Sequence, residues 1–237
     1  MSRPSNSVLI AFAVHAFTAS GAFWAFLALV AAAEGRFANM WFWLGIALLV
    51  DGVDGPMARY FHVKSVLPNW SGELLDCIID YVTFALIPAF ALYQSGFLAE
   101  VYSFICAALI VCTSAIYYAD TRMKSRDNFF IGFPICWNMV VFTLFVIEPG
   151  WYIAFTVVIA SAVLSFIPWL YVHPVRVVTW RPLTLTMLTI WSLAGLAAVY
   201  SWYFGMEVPA VAKIAIAISG IYMYCLGFVL QFLGKAA

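Results

Sequence analysis

The chain is short of charge. Only 9% of its 237 residues are Asp, Glu, Lys or Arg, against 66% hydrophobic. That leaves too few polar side chains to cover a globule in water, so an ordinary soluble domain is excluded. Eleven Lys and Arg balance eleven Asp and Glu, so net charge carries no information about nucleic-acid or acidic partners, and no nucleic-acid partner is expected. Cysteine is equally sparse: five residues, an odd number, all inside apolar runs and with no C-x-x-C pair. A disulfide framework or a thiolate zinc site is thereby excluded, and the cysteines read as small hydrophobes. No linker, low-complexity tract or internal repeat interrupts the chain, so residues 1–237 read as a single membrane domain.

Long apolar runs are what the chain does have. They cover about 8–33, 38–60, 71–96, 98–119, 130–147, 150–172, 183–204 and 209–233. The expected fold is all-α, a polytopic transmembrane helix bundle of about eight helices, with six to eight true spans because Pro134 and Pro149 bracket the shortest run. Alternating strand patterns are missing, which argues against a barrel. With eight spans, Arg3, Arg59, Lys64, Arg122, Lys124, Arg126, Arg176, Arg181 and Lys235 share one side, opposed only by Arg36 and Lys213. Both termini are therefore expected in the cytoplasm. The first run is too long for a cleaved leader and reads as a retained helix.

Against that background the acids are unevenly placed. Five of the eleven lie between residues 51 and 80. Asp51, Asp54, Gly55 and Ala58 recur at i, i+3, i+4 and i+7, one stripe of a helix. Gly72, Asp76 and Asp80 recur at i, i+4 and i+8 on the next helix, and Pro68 and Asn69 mark the turn between them. The two stripes can converge about nine residues, or roughly 13 Å, inside the cytoplasmic end. Burying carboxylates there costs several kcal/mol each unless a cation joins them, and Arg59 cannot neutralise all of them. Hard divalent ions fit an oxygen-only ligand set, and no His lies on either stripe. Gly55, Ala58 and Gly72 leave a slot in which a flat ring or a diphosphate can approach backbone. A cation transporter using the same acidic centre is the alternative from another class.

The order Asp51-x-x-Asp54-Gly55-x-x-Ala58-Arg59, followed by Gly72-x-x-x-Asp76-x-x-x-Asp80, resembles the signature of the CDP-alcohol phosphotransferase family, with every signature position filled. Twelve residues separate Arg59 from Gly72, more than in most members. That spacer, with the stretch YYADTRMKSRDNFFIGFPICWN at 117–138, resembles the bacterial branch that joins free choline to CDP-diacylglycerol, giving phosphatidylcholine and CMP. Other alcohols, namely serine, glycerol phosphate, inositol phosphate or ethanolamine, are the alternative acceptors within the family.

The resemblance implies a site and a location. Asp51, Asp54, Asp76 and Asp80 would hold Mn2+ or Mg2+, two ions together, and Asp80 would also serve as general base. Asp51, Gly55, Ala58, Arg59 and Gly72 would receive the nucleotide and diphosphate, with Thr18 of the first helix touching the cytidine. The expected location is the bacterial inner membrane, with the site facing the cytoplasm and membrane lipids around it. A homodimer is among the assemblies the family implies. A quaternary ammonium is held by aromatic faces, and Tyr81, Tyr117, Tyr118 and Asp120 are the candidates for choline. Lys64, Arg122, Lys124 and Arg126 could guide the anionic donor, Glu73 could support the acids, and His15 reads as a satisfied interhelical contact.

Overall fold

The computed structural model describes residues 6–122, 125 and 127–234, so Arg3, Lys124, Arg126 and Lys235 lie outside the described residues. A helical hairpin opens the fold: α1 (Asn6–Ala33) and α2 (Phe37–Tyr60), joined at Gly35, whose φ of +70° no side-chain-bearing residue adopts easily. The buried residues of α1 include Ala11, Val14, Thr18, Gly21, Ala25, Ala28 and Ala32, which alternate by three and four positions. This is a heptad seam filled with small side chains, and it lets α2 approach closely.

Beyond Tyr60 the chain turns through His62 (φ 51°) and the short α3 (Val63–Val66) into α4 (Gly72–Asp80). Ser71 caps α4, its hydroxyl accepting the Leu74 N–H at 3.1 Å. After Asp80 the helix widens into a π segment, Tyr81–Leu86, and resumes as α5 (Ile87–Gln94). Pro88 supplies a physical reason: in a continuous α-helix its ring would meet the carbonyl of residue 84, and a wider turn relieves that contact. The Thr83 hydroxyl also donates to the Ile79 carbonyl at 3.0 Å, at the same point.

The second half runs through α6 (Glu100–Ala119), β1 (Phe130–Ile131), α7 (Trp137–Ile147), α8 (Trp151–Leu164), β2 (Leu170–Tyr171), α9 (Arg181–Tyr203) and α10 (Ala210–Phe232). Among the described residues, six helical segments are long and apolar enough to cross a membrane: α1, α2, the continuous Gly72–Gln94 rod, α6, α9 and α10. This meets the lower bound of the expected six to eight. The helices α7 and α8 have 11 and 14 residues. At 1.5 Å per residue they reach only about 16 and 21 Å, short of the ~30 Å hydrocarbon layer.

The apolar runs at 130–147 and 150–172 therefore do not become full helices. Their outer ends pair instead as a two-stranded antiparallel ribbon, Phe130 opposite Tyr171 and Ile131 opposite Leu170. Gly132 (φ +80°) sits so close to Ser165 that a Cβ would stand 2.1 Å from its carbonyl oxygen. Gly227 of α10 is equally confined, with a Cβ there 2.3 Å from the Leu170 carbonyl oxygen. Two glycines thus seat the ribbon against α8 and α10.

The core gathers around α7, whose Phe142 ring meets Trp41, Trp191 and Trp202 edge-on at centroid distances of 5.0, 5.4 and 5.7 Å. Outward-facing Leu49, Val101 and Leu196 form the surface that acyl chains cover. All five cysteines are free, and Cys112 and Cys225 face outward rather than into the core.

Candidate active site

The two acidic stripes meet. Asp51 of α2 and Asp76 and Asp80 of α4 each offer a carboxylate oxygen, and the three oxygens lie within 4.8 Å of one another. Asp51 and Asp76 are within hydrogen-bond reach across the helix pair. All three side chains are half-buried. The donor set is oxygen alone, at a spacing one divalent cation can bridge, which fits Mg2+ or Mn2+ and not a thiolate or imidazole metal.

Asp54 is not one of these three, although it is an electrostatic neighbour of Asp51. It is 6% exposed, and the Thr18 hydroxyl and the Gly55 N–H are its hydrogen-bond partners. Thr18 lies on the α1 seam and is buried, so α1 holds Asp54 in place from the side. Arg59, exposed one turn on, folds back over Gly55, where a Cβ would stand 3.3 Å from its Nη1, and lies within electrostatic reach of Asp54. Gly72 at the start of α4 packs under His15 of α1, with Cε1 3.2 Å from where a Cβ would sit. Ala58 packs with Ala11, Val14, Val63 and Leu67 at the same end of the bundle. The small residues of both motifs thus line the junction of α1, α2 and α4.

The choline candidates separate into two places. Tyr118 of α6 has Asp80, Asp51 and Asp76 as its charged neighbours. Its ring meets Tyr81 edge-on at 6.3 Å, and the Tyr81 hydroxyl donates to the Val111 carbonyl at 3.2 Å. Tyr117 points the other way, buried, with its hydroxyl on the Ile131 carbonyl at 3.2 Å. Asp120 pairs with Arg122 at 2.9 Å, and those hydrogen bonds hold its carboxyl down to about 2. Tyr117, Asp120 and Arg122 line a separate surface cavity of about 560 Å3 with Ile131, Ser165 and Phe166, and the acidic trio is not part of its lining.

The comparisons with known proteins bear on the whole chain. It is 58% identical to a phosphatidylcholine synthase of Brucella melitensis over 93% of this chain and 79% of that protein. It is 57% identical to phosphatidylcholine synthases of Mesorhizobium japonicum, covering 94% of this chain and 87% of that protein, and of Agrobacterium fabrum, covering 94% and 91%. The chain belongs to the phosphatidylcholine synthase family. It is a transferase of phospholipid synthesis, a phosphatidyltransferase. No protein-family model matches it.

Four features of this family member escape a reading of the sequence. Arg176, in the turn after β2, is an electrostatic neighbour of Asp51, although 124 residues separate them. It follows the β1–β2 ribbon, and the adjoining Val177 packs with Leu226 and Leu230 of α10; strands so short leave no periodic trace. The π segment begins directly after Asp80, and Pro88 was its one signal. His15, read as a satisfied contact, buries an Nε2 without a hydrogen-bond partner. Lys64 and Glu73, read as a donor guide and a support for the acids, pair with each other at 3.1 Å on the surface.

Proposed function

We propose that the chain is a phosphatidylcholine synthase that transfers the phosphatidyl group of CDP-diacylglycerol to free choline, as a CDP-alcohol phosphotransferase, with a metal-dependent site built on Asp51, Asp76 and Asp80. The observation that carries this reading is the convergence of these three carboxylates within 4.8 Å, in a chain 58% identical to a phosphatidylcholine synthase. Mn2+ or Mg2+ bound there would offset the negative charge of the diphosphate and make its phosphorus open to attack.

The chain's own residues do the rest. Asp51 and Asp76 hold the cation side of the site, with Asp54 fixed behind them by Thr18. Gly55, Ala58 and Gly72 admit the nucleotide between α1, α2 and α4, and Arg59 braces phosphate at the rim. Asp80 accepts the proton of the choline hydroxyl through a carboxylate oxygen. The choline oxygen then forms a bond to the phosphorus that carries diacylglycerol. The bridging P–O bond breaks, and its electron pair leaves with CMP.

The excess of Lys and Arg on one side of the apolar runs supports a site facing the cytoplasm of a bacterial inner membrane. The test is CMP release and lipid product from purified protein with CDP-diacylglycerol and Mn2+, offering labelled choline, serine, glycerol phosphate and ethanolamine in parallel. Product from choline alone supports the reading. Product from another alcohol sinks the acceptor assignment and keeps the class, while no CMP with any acceptor returns the acidic centre to an ion-transport role.

A further inference from the structure

We infer that Tyr118 is the residue that selects a quaternary ammonium, its ring receiving the trimethylammonium group of the acceptor while Asp80 holds the hydroxyl; the inference rests on the phosphatidyl transfer proposed above. Choline is short. Only two carbons join its hydroxyl to its nitrogen, so a base on the hydroxyl and an aromatic face on the ammonium must be close neighbours. That constraint discriminates among the aromatic residues of this region.

Tyr118 meets it, because Asp80 is the foremost of its charged neighbours and Asp51 and Asp76 follow. Tyr117 fails it: the preceding residue on α6 turns its hydroxyl to the Ile131 carbonyl and lines a different cavity. Asp120 fails it too, since it is held by Arg122 at the surface. Tyr81 holds Tyr118 in place: with its hydroxyl fixed on Val111 of α6, it stands edge-on to Tyr118 at an interplanar angle of 81°. A cation seated on the Tyr118 ring would be attracted by the ring quadrupole and by the neighbouring carboxylates together. A trimethylammonium donates no hydrogen bonds, so an aromatic face beside acids suits it better than any amide or hydroxyl.

The test is steady-state kinetics in Mn2+-containing micelles with choline and with 3,3-dimethylbutan-1-ol, its uncharged carbon analogue. Tyr118→Leu is expected to raise KM for choline about tenfold, to leave KM for CDP-diacylglycerol within about twofold, and to reduce the preference for choline over the analogue by a similar factor, the carboxylates retaining the remainder. Tyr118→Phe, which keeps the ring, is expected to restore most of that preference. A Leu variant that keeps the wild-type preference, or a Phe variant as impaired as Leu, overturns the inference, the second outcome assigning the role to the hydroxyl. Thermal unfolding of both variants separates these results from loss of fold. A wild-type protein that makes no phosphatidylcholine defeats the functional reading itself, which is a different result from a wild-type enzyme indifferent to Tyr118.

Discussion

The Asp51 and Asp76 carboxyl groups face each other across α2 and α4, within hydrogen-bond reach. Two carboxylates at that spacing repel unless a proton or a cation stands between them, and Asp80 adds a third. Asp51→Asn and Asp76→Asn are each expected to lower kcat by about a hundredfold or more, the loss of several kcal/mol of charge stabilisation. Both should leave the metal-free protein as stable as wild type or more so, because a like-charge contact is relieved. Activity assays paired with thermal unfolding check this, and a variant that loses fold and activity together counts against it.

Asp80 has a separate signature. Loss of a general base costs about 10²- to 10⁴-fold in rate. Asp80→Asn is expected to show that loss in kcat, with KM for CDP-diacylglycerol nearly unchanged. A rise in that KM of similar size would mean that Asp80 chiefly holds the donor.

Arg176 reaches the site from the far end of the chain, beside Asp51. A guanidinium there suits the donor's diphosphate, since Arg offers a planar fork to phosphate oxygens. Arg176→Gln is expected to raise KM for CDP-diacylglycerol several-fold and to leave KM for choline unaltered. An effect on choline alone would contradict that placement.

The β1–β2 ribbon is seated by Gly227, where a Cβ would stand 2.3 Å from the Leu170 carbonyl oxygen. Backbone cannot give way as a flexible side chain does. Gly227→Ala is expected to cost about 1–3 kcal/mol of stability, read as a lowered Tm. It should also raise KM for the donor, because the displaced ribbon carries Arg176 with it.

How far the sequence revealed this arrangement depends on the range of each signal. The Asp51–Ala58 and Gly72–Asp80 stripes are local patterns within single helices, and their convergence follows from the connection through α3 to the Ser71 cap, which turns the chain back on itself. The six long spans were legible for the same reason, since hydropathy is a local property. The runs at 130–147 and 150–172 misled because α7 is apolar through burial among Trp41, Trp191 and Trp202 and not through contact with lipid. A hydrophobic count cannot separate the two environments. Arg176 and the choice of Tyr118 over Tyr117 were illegible because both depend on which helix faces which.

The aspartate trio is proposed to hold a divalent cation on which phosphatidyl transfer depends. Its most direct test is Mn2+ binding by electron paramagnetic resonance on the purified protein, wild type beside Asp51→Asn and Asp76→Asn, with CMP release measured on the same samples. The account predicts bound Mn2+ in the wild type, sharply weaker binding in both variants, and CMP release that chelation abolishes and Mn2+ restores. Undiminished Mn2+ binding in the variants, or CMP release that survives chelation, would contradict it.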